Sequence, residues 1–262
     1  MKFNEFGDYR KENLKISKII QKDIYNQEIS IMEKKCKKVL DECSLDEYFK
    51  DYNSILKKIE DYIKLSQIDF NNKNILEFGS GNCKMSAVIS KLYKVKSIDC
   101  LDLSETLLTE IAPRVITYIG GNLKDFNFII GDMNKIDLLK NKYDVIICYS
   151  AVHHLQLPEY FFHKQLDKIT NKDSKVLCLE EAAIPILTFP FSKVYDYQNK
   201  QYNFRCNGEN ENVYNIKKYK YFFKKKWNVK NLSQSNLKSF IKRLFFYFSL
   251  KGFDYNFLLT KK

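Results

Sequence analysis

A short segment that joins an apolar run to a pair of glycines limits the possible folds of this chain more than any other feature of the sequence. Residues 74–83 read Asn-Ile-Leu-Glu-Phe-Gly-Ser-Gly-Asn-Cys. The apolar run predicts a strand that ends near Glu77, turns on Gly79 and Gly81, and enters a helix at about Ser86. Gly79 permits a tight turn, and Gly81 lets the backbone approach a ligand more closely than any Cβ would allow. The third glycine of a dinucleotide-binding fingerprint is absent, which disfavours a pyrophosphate cofactor.

Short apolar runs continue to alternate with helical stretches beyond this turn. Alternation of this kind is typical of βαβ units around a parallel sheet, and several runs are apolar on both faces, as expected for strands covered by helices on each side. The sequence therefore predicts an α/β fold with a doubly wound, mostly parallel, Rossmann-like sheet. The predicted strands cover residues 74–78, 97–101, 127–130, 144–149, 175–179 and 254–260.

The rest of the chain surrounds this core. Apolar positions recur at helical spacing within residues 14–20 and 52–63, which predicts an N-terminal helical layer. A region rich in Tyr, Asn and Lys follows the fifth run and predicts a lid insert over the mouth of the site. The four predicted parts are a helical cap, a core, the lid and a C-terminal helix with the last strand, at residues 1–70, 71–184, 185–235 and 236–262.

Length and composition disfavour several classes of protein. A chain of 262 residues with 45% hydrophobic and 15% aromatic residues can bury one sizeable core. It has no run of roughly 18 apolar residues that would span a membrane, and no apolar signal segment follows Met1. Seven cysteines without a Cys-x-x-Cys pair, and only three histidines, favour reduced thiols over disulfides or a metal site. We therefore expect a cytoplasmic protein without a bound metal.

The net charge of +12 raises the question of a nucleic-acid partner. Only four of the 44 basic residues are arginine, and the lysines occur with abundant Asn, Ile and Tyr throughout the chain. That composition is typical of an AT-rich coding sequence. It favours solvated lysine faces over a dedicated polyanion groove, so nucleic acid is the less favoured partner.

A second acidic residue follows the next apolar run. Asp102 lies 21 residues beyond Gly81, close to the roughly 20 residues expected for an acid that binds a ribose. A carboxylate can accept hydrogen bonds from both ribose hydroxyls. A second interpretation is that Asp102 or Ser104 caps the helix predicted over residues 105–111, a role to which a serine is well suited. The two roles are compatible, because the two residues can divide them.

The third and fourth runs also end in polar residues. Gly131 precedes Asp132 and Met133, so a carboxylate can accept from an adenine amino group while the methionine packs on the ring. The alternative is an Asx turn at the start of a loop. The fourth run leads into His153 and His154, the only adjacent histidines in the chain. Doubly wound sheets bind ligands at the carboxyl ends of central strands, so at least one histidine is a functional candidate.

The order of these motifs, E-h-G-x-G, D-h-S, G-D-h and A-V-H-H-L, resembles the class I S-adenosylmethionine-dependent methyltransferases. The resemblance covers about residues 70–183, and residues 253–260 match the family's last strand more loosely. It implies a seven-stranded sheet with an antiparallel last strand, S-adenosylmethionine as cofactor and S-adenosylhomocysteine as product. One departure is Cys83, which stands where many members have a third glycine and so places the next helix further from the cofactor.

The resemblance also implies which residues contact the cofactor. The glycine turn would border the methionine part, the acid after the second run the ribose, the Gly-Asp motif the adenine, and Ser150 the sulfonium side. The N-terminal pair Tyr9-Arg10 resembles an aromatic-basic pair with which small-molecule members close over the cofactor. The implied contacts are Glu77, Gly79, Ser80, Gly81, Asp102, Leu103, Asp132, Met133, Ser150, Tyr9 and Arg10.

The acceptor is predicted from the residues beyond the cofactor motifs. A hydroxyl acceptor benefits from a base, and His153, His154 and Glu180 are the candidates. Residues 209–214 and the lysine-rich stretch after them resemble bacterial methyltransferases of surface-polysaccharide gene clusters. The predicted reaction is methyl transfer to an oxygen, in preference to a nitrogen, of a sugar or of a phosphorylated or phosphoramidate-type polysaccharide precursor. The predicted acceptor contacts are Tyr195, Arg205 and Tyr214.

Two other classes of protein are weighed against this interpretation. An RNA methyltransferase is favoured by the charge, but the chain has no [DNS]-P-P-[YFW] tetrad after the fourth run, no Pro-Cys nucleophile pair and no separate RNA-binding module. A protein that only binds partners through its lid and N-terminal helices is disfavoured by the full set of cofactor motifs. The identity of the acceptor and the oligomeric state stay open.

Overall fold

A nine-stranded sheet organises the residues that the computed structural model describes, which are 1–6, 13–19, 26–184, 214–232 and 253–262. The strand order is β1-β4-β3-β2-β5-β6-β9-β8, and β7 pairs with the end of β6. All pairings are parallel except those of β9, which runs antiparallel to both β6 and β8. The strands are β1 (Lys15–Ile19), β2 (Asn74–Phe78), β3 (Ser97–Asp102), β4 (Phe126–Gly131), β5 (Tyr143–Tyr149), β6 (Thr170–Ile184), β7 (Tyr214–Asn215), β8 (Trp227–Asn231) and β9 (Phe253–Lys261).

Helices connect most of these strands. Two π-helical segments, Leu107–Ile111 and Phe161–Gln165, run directly into the α-helices that follow them. Short 3-10 helices at Phe3–Glu5, Leu123–Asp125, Met133–Leu138 and Val152–His154 complete the connections. The α-helices are α1 (Asn26–Glu42), α2 (Leu45–Phe49), α3 (Tyr52–Ser66), α4 (Lys84–Leu92), α5 (Ala112–Ile119), α6 (Pro158–Tyr160), α7 (Leu166–Ile169) and α8 (Ile216–Phe223).

The helices pack on both faces of the sheet. The side chains of β5 point alternately to the two faces. Val145 and Ile147 belong to the apolar cluster on one face, and Ile146 and Cys148 to the cluster on the other. The first cluster takes buried residues from α3, α4 and α5, and the second from residues 161–169 and α8. A strand that buries both of its faces has no polar alternation, which explains the continuous apolar runs of the sequence.

The predicted fold class is confirmed. All six predicted runs are strands, the sheet is doubly wound and mostly parallel, and β9 is antiparallel as the resemblance implied. Seven of the strands, in the order β4-β3-β2-β5-β6-β9-β8, form the sheet that was expected. The two additional strands in the described part of the chain are β1 and the two-residue β7. Among these residues, no helix has the length and apolar character needed to cross a membrane.

One predicted helix is wrong, and the strands β1, β7 and β8 were not among the predicted runs. Residues 15–19 form β1, which pairs along its length with β4. Leu14 and Ile16 pack against the core while Lys15 and Ser17 are exposed. Buried and exposed side chains therefore alternate every second residue, as in a strand. At the other edge, Trp227–Asn231 was assigned to the lid insert but forms β8 of the sheet. The four predicted part boundaries otherwise stay predictions.

Candidate functional site

A cavity of about 420 Å³ opens where the central strands end. The chain passes from β2 outward through β3 to β4 and then returns to the other side of β2 with β5, and ligands bind at such a reversal in open α/β sheets. A volume of this size lies within the usual range for small-molecule sites. The lining residues are Ile29, Met32, Glu77, Gly79, Ser80, Gly81, Asn82, Lys84, Asp102, Leu103, Gly131, Asp132, Met133, Asn134, Tyr149, Ser150, Ala151 and His154.

The glycine turn after β2 forms one wall of the cavity. Gly79 and Gly81 have φ of +58° and +53°, a region that side chains with a Cβ rarely adopt. A Cβ on Gly79 would lie 2.7 Å from the Cβ of Ala151, whereas a Cβ on Gly81 would meet nothing within 4 Å. The Ser80 N–H donates to the Leu101 carbonyl at 3.0 Å, which ties the turn to β3. Gly79 therefore serves close packing, and Gly81 leaves open space at the wall.

Two side chains of this turn have distinct surroundings. The Ser80 hydroxyl is buried and makes no hydrogen bond within the described ranges. The Asn82 amide nitrogen donates to the Tyr52 hydroxyl at 2.6 Å and to the Tyr48 hydroxyl at 3.0 Å. Since α2 and α3 carry these tyrosines, the helical layer before the core fixes the orientation of an amide that lines the cavity.

Glu77 lies at the floor of the cavity and is almost fully buried, with 1% of its surface exposed. Its Oε2 accepts hydrogen bonds from the Ser86 N–H at 3.2 Å and from the Ser86 hydroxyl. Burial raises the pKa of Glu77 to about 7, although the two bonds from Ser86 act in the opposite direction. The carboxyl group can therefore change its protonation state near neutral pH.

Asp102 ends β3 beside the glycine turn. Its Oδ2 accepts from the Gly81 N–H at 2.8 Å, and its Oδ1 accepts from the Ser104 N–H at 3.2 Å. Burial raises the pKa of Asp102, and the backbone hydrogen bonds counter part of that rise. The carboxylate keeps lone-pair capacity for a ligand donor beyond these backbone bonds. Ser104 caps the next helix, as predicted, because its hydroxyl accepts from the Leu107 N–H at 3.1 Å.

Asp132 and Met133 follow β4 and also line the cavity. The Oδ1 of Asp132 accepts from the Asn134 N–H at 2.8 Å and from the Asn134 amide nitrogen at 3.0 Å. The alternative of an Asx turn is thus present in the structure, but it engages only one carboxylate oxygen. The sulfur of Met133 approaches Gly79 closely enough that an added Cβ would lie 3.3 Å from it.

Of the two histidines predicted as bases in the segment after β5, only one lines the cavity. His154 lines the cavity, whereas His153 is buried and is not among the lining residues. The two rings are in contact, with centroids 4.2 Å apart and planes inclined by 41°. Ser150 also lines the cavity, has a φ of 55°, and donates its N–H to the Leu179 carbonyl at 2.7 Å. The strained turn at Ser150 directs the chain from β5 along the rim.

Sequence reasoning missed several lining residues. Ile29 and Met32 reach the cavity from α1, which precedes the glycine turn by about forty residues. Lys84 begins α4 and places its ammonium 4.4 Å from the centre of the Tyr149 ring. The spacing of Ile29 and Met32 on one helix face could have indicated an apolar surface for the cavity. Lys84 could not be singled out, because lysine is abundant throughout the chain.

Two of the remaining predicted residues, Tyr214 and Glu180, lie in strands of the sheet. Tyr214 lies in β7, opposite Ala183, and packs on Tyr219 and Phe222 with ring centroids 5.6 and 4.9 Å away. Glu180 lies in β6 opposite Tyr255 of β9, and its role stays a prediction. The other predicted contacts lie outside the described residues, namely Tyr9, Arg10, Tyr195 and Arg205.

Comparisons with known proteins agree with this fold. The YcgJ protein of Bacillus subtilis has a TM-score of 0.55 at 12% identity, over 79% of this chain and 99% of that chain. Phosphoethanolamine N-methyltransferase 2 of Haemonchus contortus, in complex with S-adenosyl-L-methionine, has a TM-score of 0.54 at 14% identity, over 78% of this chain and 52% of that one. The fold is thus that of the Rossmann-like methyltransferases.

A family match defines the core more closely. Residues 75–171 match the family model described as a methyltransferase domain. The small RNA 2'-O-methyltransferase of Tetrahymena thermophila is 25% identical over 122 residues, which is 42% of this chain but only 29% of that protein. Residues 75–171 of this chain are therefore similar to methyltransferase domains in both sequence and fold.

Proposed function

We propose that this protein transfers a methyl group from S-adenosylmethionine to an oxygen, in preference to a nitrogen, of a small polar acceptor. The observation that carries the proposal is the convergence of Asp102, Asp132, Ser150 and His154 on one cavity at the carboxyl edge of the sheet. Such a cavity offers carboxylates for a nucleoside and an imidazole for an acceptor. A catalytically inactive binding protein has no need for both.

The residues present fit the cofactor. The Asp102 carboxylate has lone-pair capacity left for a ribose hydroxyl, and one oxygen of Asp132 is available for the adenine amino group. The buried Ser80 hydroxyl lacks a partner among the described residues, and a buried polar group without a partner is costly unless a ligand satisfies it. Lys84 brings a positive charge to the wall, which suits the carboxylate of the methionine part.

S-adenosylmethionine supplies the electrophilic methyl group when it is bound, so the chain has to position the acceptor and exclude water. Ile29 and Met32 contribute apolar surface to the cavity from α1. Glu77 can hold or release a proton near neutral pH, so its carboxylate form can balance the positive charge of the cofactor.

His154 is the proposed base for a hydroxyl acceptor. With S-adenosylmethionine bound, a neutral imidazole nitrogen of His154 would accept the proton of the acceptor hydroxyl as its oxygen takes the methyl group; the methyl–sulfur bond would break and S-adenosylhomocysteine would leave. His153, in ring contact behind it, is the proposed support that limits how His154 can turn.

The acceptor class is proposed from the sequence. Sugars and phosphorylated or phosphoramidate-type precursors of surface polysaccharide are supported by the resemblance around residues 209–214 and by Arg205 and Tyr195, which lie outside the described residues. The cytosol is the proposed compartment, on the basis of the cysteine usage. Methyl transfer from labelled S-adenosylmethionine to nucleotide-activated sugars, small phosphorylated metabolites and bulk RNA compares the acceptor classes directly.

The two histidines provide a matched pair of variants for the same assay. Replacing His154 by Gln is expected to lower kcat by about 10²–10⁴-fold, the usual contribution of a general base. Replacing His153 by Gln is expected to cost less, because it does not reach the cavity. Intact turnover of the His154→Gln protein at saturating acceptor would exclude a role as base.

RNA is a second candidate acceptor. The Tetrahymena relative is named a small RNA 2'-O-methyltransferase, and RNA would present the same kind of hydroxyl. In addition, α8 and the turn after it expose a cluster of basic residues with the exposed Tyr221 among them. Tight RNA binding whose affinity falls steeply with salt would favour RNA over a small metabolite. The exposed basic residues are Lys217, Lys218, Lys220, Lys224, Lys225 and Lys226.

A further inference from the structure

One face of α1 connects the cavity to the turn after β3. Met32 and Glu33 lie three and four residues after Ile29, and Cys36 lies three residues after Glu33 and four after Met32, so the four side chains share a face of the helix. The first two line the cavity. The second two contact the turn, since Glu33 bonds to residues of it and the Cys36 sulfur lies 3.8 Å from the Ser104 hydroxyl.

Glu33 makes the strongest of these contacts. Its Oε1 accepts from the Ser104 hydroxyl at 2.7 Å and from the Thr106 N–H at 3.2 Å. Burial acts to raise the pKa of Glu33, but the hydrogen bonds from Thr106 and Ser104 outweigh it and lower the pKa. The carboxylate therefore stays ionised at neutral pH, and both hydrogen bonds are charge-assisted.

Ser104 joins this contact to the acid that lines the cavity. It is fully buried, its N–H donates to Asp102 Oδ1 at 3.2 Å, and its hydroxyl donates to Glu33. A continuous path of hydrogen bonds therefore runs from Asp102 through Ser104 to Glu33 on α1. On the same helix, Met32 immediately precedes Glu33 and Ile29 lies one turn before it, and both form part of the cavity wall.

We propose that Glu33 is a positioning residue that holds α1 over the nucleoside end of the cofactor cavity. The inference rests on the proposed function, because it takes Asp102 as the ribose ligand. A nucleoside bound at Asp102 then favours the arrangement in which α1 lies over the cavity with Ile29 and Met32 in the wall. We call this the closed arrangement, and Glu33 stabilises it. Cofactor affinity depends on Glu33 even though its bonds go to Ser104 and Thr106.

A purely structural contact would behave differently from a positioning contact. If Glu33 only stabilised the fold, its loss would lower the unfolding temperature of the free protein without changing cofactor affinity. If it holds α1 over the cavity, its loss weakens cofactor binding beyond any loss of stability. The distinction is measurable on the full chain.

The experiment is calorimetric titration of the full chain with S-adenosylhomocysteine. Replacing Glu33 by Ala is expected to weaken binding about tenfold, the effect of losing a charge-assisted contact that matters only in the closed arrangement. Glu33→Gln keeps an acceptor oxygen and is expected to stay within about threefold of the wild type. Glu42→Ala is the matched control, because Glu42 lies on the same helix with 65% of its side chain exposed and should bind normally.

Hydrogen exchange gives a second readout that does not depend on turnover. S-adenosylhomocysteine is expected to protect α1 and the glycine turn in the wild type, but only the glycine turn in the Glu33→Ala protein. If the alanine variant does not fold, Glu33→Asp tests the same contact, since it retracts the carboxylate by one methylene and keeps the charge. The aspartate variant is then expected to bind several times more weakly than the wild type.

The outcomes separate this inference from the proposed function. Wild-type affinity in both Glu33→Ala and Glu33→Asp, or equal protection of α1 in the variants, would overturn the positioning role and leave the proposed function intact. Failure of the wild-type chain to bind S-adenosylhomocysteine would overturn both. A loss of affinity confined to the Glu33 variants, with Glu42→Ala unchanged, supports the inference.

Discussion

Replacing Gly79 by Ala is expected to destabilise the fold much more than the same change at Gly81. Both residues have positive φ, at +58° and +53°, so an added Cβ costs about 1–2 kcal/mol at either position. At Gly79 the new carbon would also lie 2.7 Å from the Ala151 Cβ and 3.3 Å from the Met133 sulfur. Overpacking of this kind costs a further ~1–3 kcal/mol. The expected loss of stability is therefore about 2–5 kcal/mol at Gly79 and about 1–2 kcal/mol at Gly81.

Urea denaturation followed by tryptophan fluorescence measures this difference. Trp227 is the single tryptophan of the chain and is buried, with 1% of its surface exposed, so its emission reports unfolding of the core. Calorimetric titration with S-adenosylhomocysteine supplies the second measurement. Gly81→Ala is expected to weaken binding by tenfold or more, because the new methyl group occupies space where the backbone would approach the ligand.

Two results would refute this reasoning. Equal losses of stability in Gly79→Ala and Gly81→Ala would mean that the contact with Ala151 relaxes freely and that only backbone conformation matters. Wild-type affinity for S-adenosylhomocysteine in Gly81→Ala would mean that no ligand approaches this part of the turn. The pair thus separates a packing role from a binding role at two glycines one residue apart.

Three further changes test the site and the core. Glu77 has a pKa of about 7 in the folded protein and of about 4.3 in the unfolded chain. Its contribution to the free energy of unfolding is therefore present at low pH and is lost as the pH rises through 7. Between pH 4 and pH 8 the wild type should lose on the order of 3 kcal/mol of stability relative to Glu77→Gln in urea denaturation, and parallel profiles would contradict this. Asp102→Asn should weaken S-adenosylhomocysteine binding by about 10–100-fold in calorimetry, because a neutral amide replaces a charged acceptor, and wild-type affinity would exclude the ribose role. Trp227→Phe should cost about 1–3 kcal/mol by circular dichroism, since the indole N–H donates to the buried Phe162 carbonyl at 2.9 Å, and unchanged stability would show that this bond contributes little.

The core of the fold could be predicted because its signals are local. Each central strand is a short apolar run, and the acid or glycine that follows marks where it ends. The strand at residues 74–78 has the predicted bounds, and the glycine pair, Asp102 and Asp132 all line one cavity. Parallel strands place their carboxyl ends at one edge, so the motifs converge without further information.

The elements that could not be predicted depend on tertiary contacts. Within residues 14–20 the apolar positions satisfied both a helical and a strand period, and only pairing with β4 decides between them. The edge strand β8 is largely exposed and carries little hydrophobic signal beyond Trp227 and Val229. Glu33 reaches Ser104 across 71 residues of sequence, which no local pattern reports.

The position of β1 has a consequence for solubility. Without residues 15–19, β4 would be the outer strand, and its alternating apolar residues would present free N–H and C=O groups to other chains. The pairing moves the open edge to a strand whose exposed side chains include Lys15 and Lys18. Lys18 forms an ion pair with Glu105 at 2.6 Å, so the repulsion between approaching copies comes from Lys15, and it disfavours strand addition between molecules. A shortened chain that lacks this strand should aggregate at concentrations where the full chain stays monodisperse, which light scattering can measure.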